Sequence, residues 1–475
     1  MSQNIKKLAL RRNRMNTVFL GGGSLRILPI IRSIFALVPD YFRNGEIRLV
    51  DLKIERAEAV GKLIQACPEY NNVGCKVIWT DDLDSALPGT DVLYLTMAAR
   101  RDPSDTQCMH LGNKFNYCCS DNLSICGAFL SLRLGRTIFN IAKKMERLCP
   151  DALMLIFPNP VAVYSHLVNT HTKVRALGIC GGFSNHRWDL TRLTGRNEYD
   201  PSWNVIAAGI NHMSFILRGT KNGKDLYGEI LPEYLTDDWK PLEISAQLQW
   251  VKDGFRLGQL SLYRCYKRYG KTIFSTEGDG VAHIFPDLFM EHSIKRFGMG
   301  EDFDPEAVDR QTRQREKERF DSFIRSACTP EKIDWTEPAG FYGRCDSDIM
   351  IPLSKALCGV EPMRIVATRP NMGAVRGFSS DTPLEYTMDI YKKDITPVED
   401  QYIPDPFTGL VATLADFQRL QSEAIAAWDP EIFANALDAY PVHRFTERRK
   451  EYFRGMFRIF EDLDPHILKA EQYFM

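Results

Sequence analysis

Up to about residue 200, short apolar runs of strand length alternate with longer segments of helical period. The runs at 16–20 (NTVFL), 45–50 (GEIRLV), 76–80, 91–96 (DVLYLT), 152–157 (ALMLIF) and 174–179 are expected strands. The clearest helix between them covers 128–148, where Phe129, Leu132, Ile138, Ile141, Met145 and Leu148 recur at helical spacing. Alternation of this kind predicts an α/β fold with a doubly wound parallel sheet. Beyond residue 200 the regularity breaks. Strand-like pieces at 213–217 and 384–390 mix with long helices at 413–428 and 430–439. We therefore expect a Rossmann-type domain over 16–200 and an α+β domain over 201–475 packed against it, with no Ser- or Gly-rich linker. Residues 1–15 form a basic extension, and the dense alternating charge of 302–320 fits a solvated helix face.

Composition narrows the classes. With 44% hydrophobic residues among 475, the chain can bury a large core. Sixty basic side chains against 61 acidic ones leave a net charge of −1, which gives no reason to expect nucleic acid or a membrane surface as partner. The N-terminal apolar stretch, Leu8 to Leu10, is too short for a signal peptide. No run is read as a membrane span. Twelve cysteines without a small-domain disulfide framework are expected to be reduced thiols of a cytoplasmic protein.

The first expected strand runs straight into Gly21-Gly22-Gly23-Ser24 and a helical segment. Glycines at such a turn let the backbone approach a pyrophosphate, which then sits at the positive end of the helix. Asp51 closes the second strand, where an acid accepts hydrogen bonds from ribose hydroxyls and repels the 2′-phosphate of NADP. This pattern favours NAD.

Three further segments carry candidate chemistry. Cys180 ends a strand and is followed by Gly181-Gly182, and Asn211-His212 precedes another strand-like run. A thiolate and an imidazole can share one divalent ion and leave positions open for a substrate diol. The same residues are also compatible with a buried structural cysteine and a hydrogen-bonded histidine. Asn159, before Pro160 at a strand end, marks a turn and faces the ligand crevice if the sheet is doubly wound.

In their order, GGGS, an acid after strand two, Asn-Pro, Gly-Ile-Cys, Gly-Ile-Asn-His-Met-Ser-Phe and a late Asn371-Met372-Gly373 resemble glycoside hydrolase family 4. That family is a branch of the lactate/malate dehydrogenase superfamily, and the resemblance leans toward its α-glucosidase/α-galacturonidase members. It implies a second domain of lactate/malate dehydrogenase type and a homodimer or homotetramer. It further implies NAD and a divalent metal, usually manganese, held by Cys180 and His212. Asn159 and Asn211 are implied on the sugar, with Arg101 as a further substrate-binding residue. The implied reaction oxidises the sugar at C3, removes the C2 proton with metal assistance and eliminates the aglycone. The family is a known exception to two-carboxylate hydrolysis. For the base, Asp279 matches the Asp of the family's Gly-Asp-Arg-His stretch, although Gly280 and Val281 replace the Arg and His and the nearest histidine is His283. Tyr263 and Tyr266 are the alternatives.

Two departures complicate this picture. Many members carry an Asp or His directly after the metal cysteine, where this chain has Gly181. Upstream, Cys118-Cys119-Ser120-Asp121-Asn122 replaces the usual glycine- and glutamine-containing loop. His110, Asp121 or His186 then has to supply the proton for the leaving group, unless the substrate has a good leaving group or the reaction stops early. Arg100, Arg101 or Arg369 is available for a 6-phosphate or a uronate carboxylate. An NAD-dependent sugar or hydroxyacid dehydrogenase, and a non-catalytic NAD or sugar sensor, are the competing classes.

Overall fold

The computed structural model describes residues 15–98, 104–246, 249–274, 280–288, 304–337, 341–345, 349–443 and 446–475. The six strands expected in the first part all form: β1 (Asn16–Leu20), β2 (Glu46–Val50), β3 (Lys76–Thr80), β4 (Val92–Leu95), β5 (Leu153–Ile156) and β6 (Arg175–Gly178). They run parallel in the order β6-β5-β4-β1-β2-β3. This is the doubly wound order, which opens a ligand crevice beyond the carboxyl ends of β1 and β4. Strands β4 and β5 are buried along their whole length, as their unbroken apolar runs require.

The second part, expected as an α+β domain packed against the first, contributes strands that extend the same sheet. Its strands are β7 (Trp203–Ile210), β8 (Met213–Lys221), β9 (Lys224–Asp225), β10 (Thr272–Ile273), β11 (Met363–Pro370), β12 (Pro383–Tyr391) and β13 (Asp394–Pro397). Among the described residues these continue outward from β6 as β11-β12-β7-β8-β10, antiparallel throughout. The junction is one register pair, Thr368 with Gly178. Gly178 suits it, because a Cβ there would crowd Val161, Ser165 and Thr368.

The longer helices that frame the site are α1 (Ile27–Leu37), α2 (Ile54–Ala66), α3 (Ser104–Phe115), α4 (Ile125–Leu148), α5 (Val161–His171), α6 (Gly182–Leu193), α7 (Gln249–Tyr269) and α8 (Thr408–Ala427). Helix α4 begins three residues earlier than its apolar period suggested, because the Ser124 hydroxyl accepts the Gly127 N–H and caps it. It is also long and apolar enough to cross a membrane, contrary to the sequence reading, but most of it is buried inside the fold as a core helix. None of the twelve cysteines forms a disulfide.

Gly209 pairs with Ser214 of β8 on one side and with Glu385 of β12 on the other. A Cβ at this position would run into the Met213 carbonyl oxygen and the Ser214 Cα. Backbone cannot swing aside as a side chain can. Gly209→Ala is therefore expected to destabilise the protein by roughly 1–3 kcal/mol. Urea denaturation checks this, and a wild-type midpoint would contradict the close approach.

Candidate active site

At the carboxyl end of β1 the chain turns sharply. Gly21 has φ +90°, and a Cβ there would stand 2.7 Å from the Met97 amide nitrogen. Gly21 and Gly22 both donate their N–H to the Val50 carbonyl at 2.9 Å. The Ser24 N–H returns to the Gly21 carbonyl and its hydroxyl accepts the Arg26 N–H, which leads into α1. Asp51 closes this loop: one carboxylate oxygen accepts the Gly23 N–H and the other the Lys53 N–H, both at 2.9 Å. Each oxygen keeps a lone pair for a further donor. The expected dinucleotide residues thus converge at the crevice.

The second cluster gathers at the ends of β5 and β6. Cys180 Sγ lies 3.5 Å from His212 Nε2. The cysteine leaves β6 just before α6. The histidine occupies the two-residue turn between β7 and β8, where its φ of +69° is left-handed. Asn159, which precedes α5, donates from its amide to an Asp121 carboxylate oxygen at 3.1 Å. Cys180 and Asn159 are half-buried, whereas His212 and Asn211 are buried.

Asn211, expected on the sugar, has both ends of its amide hydrogen-bonded within the chain. Its Oδ1 accepts from the Asn122 amide, and its Nδ2 donates to Glu385 Oε2 at 2.6 Å. Asn122 in turn accepts from Gln418 of α8 at 3.2 Å, and Thr368 donates to the same Glu385 oxygen at 3.4 Å. Burial pushes the Glu385 carboxyl above the usual carboxylate range, while the Asn211 hydrogen bond and nearby His212 oppose that shift. Glu385 Oε1 is buried without a partner. Sequence reading missed Asn122, Thr368, Glu385 and Gln418 as site residues. Glu385 gave no signal of its own, because Thr387 and Asp389 share its alternating polar positions along β12.

Other candidates stand elsewhere. The Tyr263 hydroxyl donates to the Thr236 carbonyl at 3.0 Å, and its ring stacks on Trp239. The Tyr266 ring faces Tyr227. Neither contact involves Cys180, His212 or Asn159. Asp279, Arg100 and Arg101 lie outside the described residues. Gly280, next in the chain to Asp279, packs so tightly on the His212 carbonyl that a Cβ could not be accommodated. His283 is edge-on to Tyr440. Arg369 is buried, its Nε has no partner, and desolvation lowers its pKa. Among the described residues, a Cβ at Gly181 would meet Asn185 Nδ2 alone, at an ordinary contact distance of 3.4 Å.

The family model described as family 4 glycosyl hydrolase matches residues 16–194, and the model of that family's C-terminal domain matches 207–442. The chain is 24% identical to an alpha-galacturonidase of Thermoanaerobacter italicus over 92% of its own length and 95% of the relative's. It is 40% identical to an alpha-galactosidase of Bacillus subtilis, but over 23% of this chain and 25% of that one. The fold is similar to the crystal structure of a 6-phospho-alpha-glucosidase from gut microorganisms in complex with NAD and Mn2+. The TM-score is 0.75 at 17% identity, with 96% of this chain and 100% of that one covered.

His186 of α6 accounts for one pH effect. Its ring is fully buried, Nε2 lies 2.9 Å from the Ser214 hydroxyl, and desolvation lowers its pKa from 6.5 to about 3. As pH falls below 6.5 the unfolded chain takes up a proton that the folded chain refuses until about pH 3, so stability is lost across that window. The slope from this one group is up to about 1.4 kcal/mol per pH unit. His186→Gln, which can keep a bond to Ser214, is expected to lose stability less steeply between pH 6.5 and 4 in urea denaturation. Parallel pH curves for the two proteins would contradict the burial of a neutral imidazole.

Proposed function

The chain belongs to family 4 of the glycosyl hydrolases, and from that premise we propose that it cleaves an α-linked glycoside, a uronide or another small sugar, by transient oxidation. NAD and a divalent cation, manganese first, are the cofactors of this reading, and a homodimer or homotetramer is its assembly. The observation that carries it is the 3.5 Å approach of Cys180 Sγ to His212 Nε2. Two donors sharing one ion, with bonds of about 2.3 Å to sulfur and 2.0–2.1 Å to nitrogen at zinc, stand about that far apart. The glycine turn capped by Asp51 fits a dinucleotide in the same sense. Bound together, NAD supplies a reversible hydride acceptor and the cation supplies Lewis acidity toward the sugar oxygens.

In this reading Gly21, Gly22, Gly23 and Ser24 cradle the pyrophosphate and Asp51 accepts from the ribose. Cys180 and His212 hold the cation. Asn159, already oriented by Asp121, donates to or accepts from a sugar hydroxyl. Asp279 takes the C2 proton; the outward commitments of Tyr263 and the tight seat of Gly280 on the His212 turn support it over the tyrosines. Among the three groups considered for the leaving-group proton, the neutral His186 is the poorest and Asp121, beside Asn159, the best supported. Arg101 is the anion-binding residue of the reading. The α linkage and the uronide are favoured because the alpha-galacturonidase relative spans almost the whole chain.

Gly181 favours a second reading. Without a side chain after the metal cysteine, the chain could oxidise a sugar without completing cleavage, as a dehydrogenase does.

Proton NMR of α- and β-glycosides and uronides in deuterated water, with NAD, manganese and a reductant, separates the two. Sugar release with deuterium at C2 is the expected result for an α-glycoside. Accumulation of NADH and a keto-sugar without cleavage makes the protein a dehydrogenase. Cys180→Ser and His212→Ala are each expected to abolish metal-dependent turnover with NAD affinity kept, and unchanged turnover in both would remove the metal assignment. Asp51→Ala is expected to weaken NAD roughly 10- to 100-fold, as for loss of hydrogen bonds to a charged group. Fluorescence titration checks it, and wild-type affinity would contradict the ribose role.

A further inference from the structure

The turn that presents His212 is held by a group no part of the reaction uses. A two-residue connection between β7 and β8 leaves His212 at φ +69°, a region that side chains with a Cβ enter at a cost unless their surroundings hold them there. The neighbouring Asn211 is 1% exposed and has both ends of its amide occupied: Oδ1 by Asn122 and Nδ2 by Glu385 at 2.6 Å. The nitrogen end of that amide faces Glu385 because a carboxylate oxygen accepts and has nothing to donate. Two stretches, the 118–122 loop and β12, therefore bond this side chain directly, and two more, β11 and α8, are tied to it through Glu385 and Asn122.

Fold stability alone gives a poor account of Glu385. It is 1% exposed, yet Oε1 has no partner, which makes it an expensive residue for a strand interior. What it secures is the direction of the turn. With the Asn211 amide clamped, the adjacent His212 ring is aimed at Cys180 Sγ.

We infer that Glu385 is a positioning residue for the metal site: by accepting from Asn211 it fixes the 211–212 turn and with it the direction of His212 toward Cys180. The inference rests on the proposal that Cys180 and His212 hold the cation. Groups behind metal ligands act in this way elsewhere, and their loss typically costs about 10- to 100-fold in metal affinity. Gln at position 385 keeps a carbonyl oxygen for Asn211, whereas Leu does not.

The test is a titration of the full-length protein, in saturating NAD, with Mn2+ followed by the electron paramagnetic resonance of the free ion. Glu385→Leu and Asn211→Ala are expected to weaken Mn2+ about 10- to 100-fold while NAD affinity stays at the wild-type value. Glu385→Gln is expected to restore most of the affinity. A residue that merely supports the fold would not separate Mn2+ from NAD in this way, nor be rescued by the amide. Wild-type Mn2+ affinity in Glu385→Leu overturns the inference, as does a loss in Glu385→Gln as large as in Glu385→Leu. Should Glu385→Leu not fold, Asn211→Ala decides from the other side of the same hydrogen bond, with wild-type affinity again overturning it. Cys180→Ser and His212→Ala run alongside. If these two bind Mn2+ normally, the metal proposal itself fails and takes the inference with it; if only they lose Mn2+, the inference alone fails.

Discussion

The hydrogen bonds that clamp the Asn211 amide are the constraint on which the rest of the site depends. The β7–β8 turn has two residues, no glycine and one left-handed φ, so the direction of His212 is set by what packs and bonds around the turn, the Asn211 clamp and the Phe274 ring included. The clamp reaches further through the 118–122 loop. Asn122 bonds Asn211, and its neighbour Asp121 bonds Asn159. One short loop therefore sets both the residue expected on the sugar and the turn that carries the imidazole. Ser120, Asp121 and Asn122 of this loop all take part in side-chain hydrogen bonds, so side chains hold it in place.

The parallel half of the sheet was legible because buried strands of a doubly wound fold are continuous apolar runs bounded by turn residues. The strands at 16–20 and 76–80 occupy the residues their apolar runs marked. The antiparallel half was less so. Residues 208–212 read as a lead into a strand, whereas 203–210 is itself a strand and 211–212 the turn. Trp203, Val205 and Ala207 do not stand out as one buried face because both faces of β7 are largely covered, which erases the period-two signal. The continuation of one sheet through Thr368 and Gly178 has no sequence signature, since a single long-range pair leaves no periodicity.

Chemistry followed the same division. The proximities of Gly23 to Asp51 and of Cys180 to His212 were expected from the sequence, since glycine turns, strand-end acids and soft side chains at strand ends are visible in it. Glu385 was not expected, because a carboxylate inside a strand reads as an exposed residue until the strand is seen to be covered on both sides. The burial of the Asn211 side chain between Asn122 and Glu385 was not legible either, since no periodicity marks a turn residue as inward-facing. Tyr263 and Tyr266 had the right residue type for a base, but their rings pack on Trp239 and Tyr227.

The unbroken sheet has a mechanical consequence. Paired strands lead from β1, which feeds the glycine turn, across β4, β5 and β6 and on through β11 and β12 to β7, which feeds the histidine turn. The two turns therefore hang from one hydrogen-bonded sheet whose halves meet at a single step, Thr368 with Gly178. Whatever widens that step moves the glycine turn and the histidine turn relative to one another, so a contact buried far from both bears on their spacing.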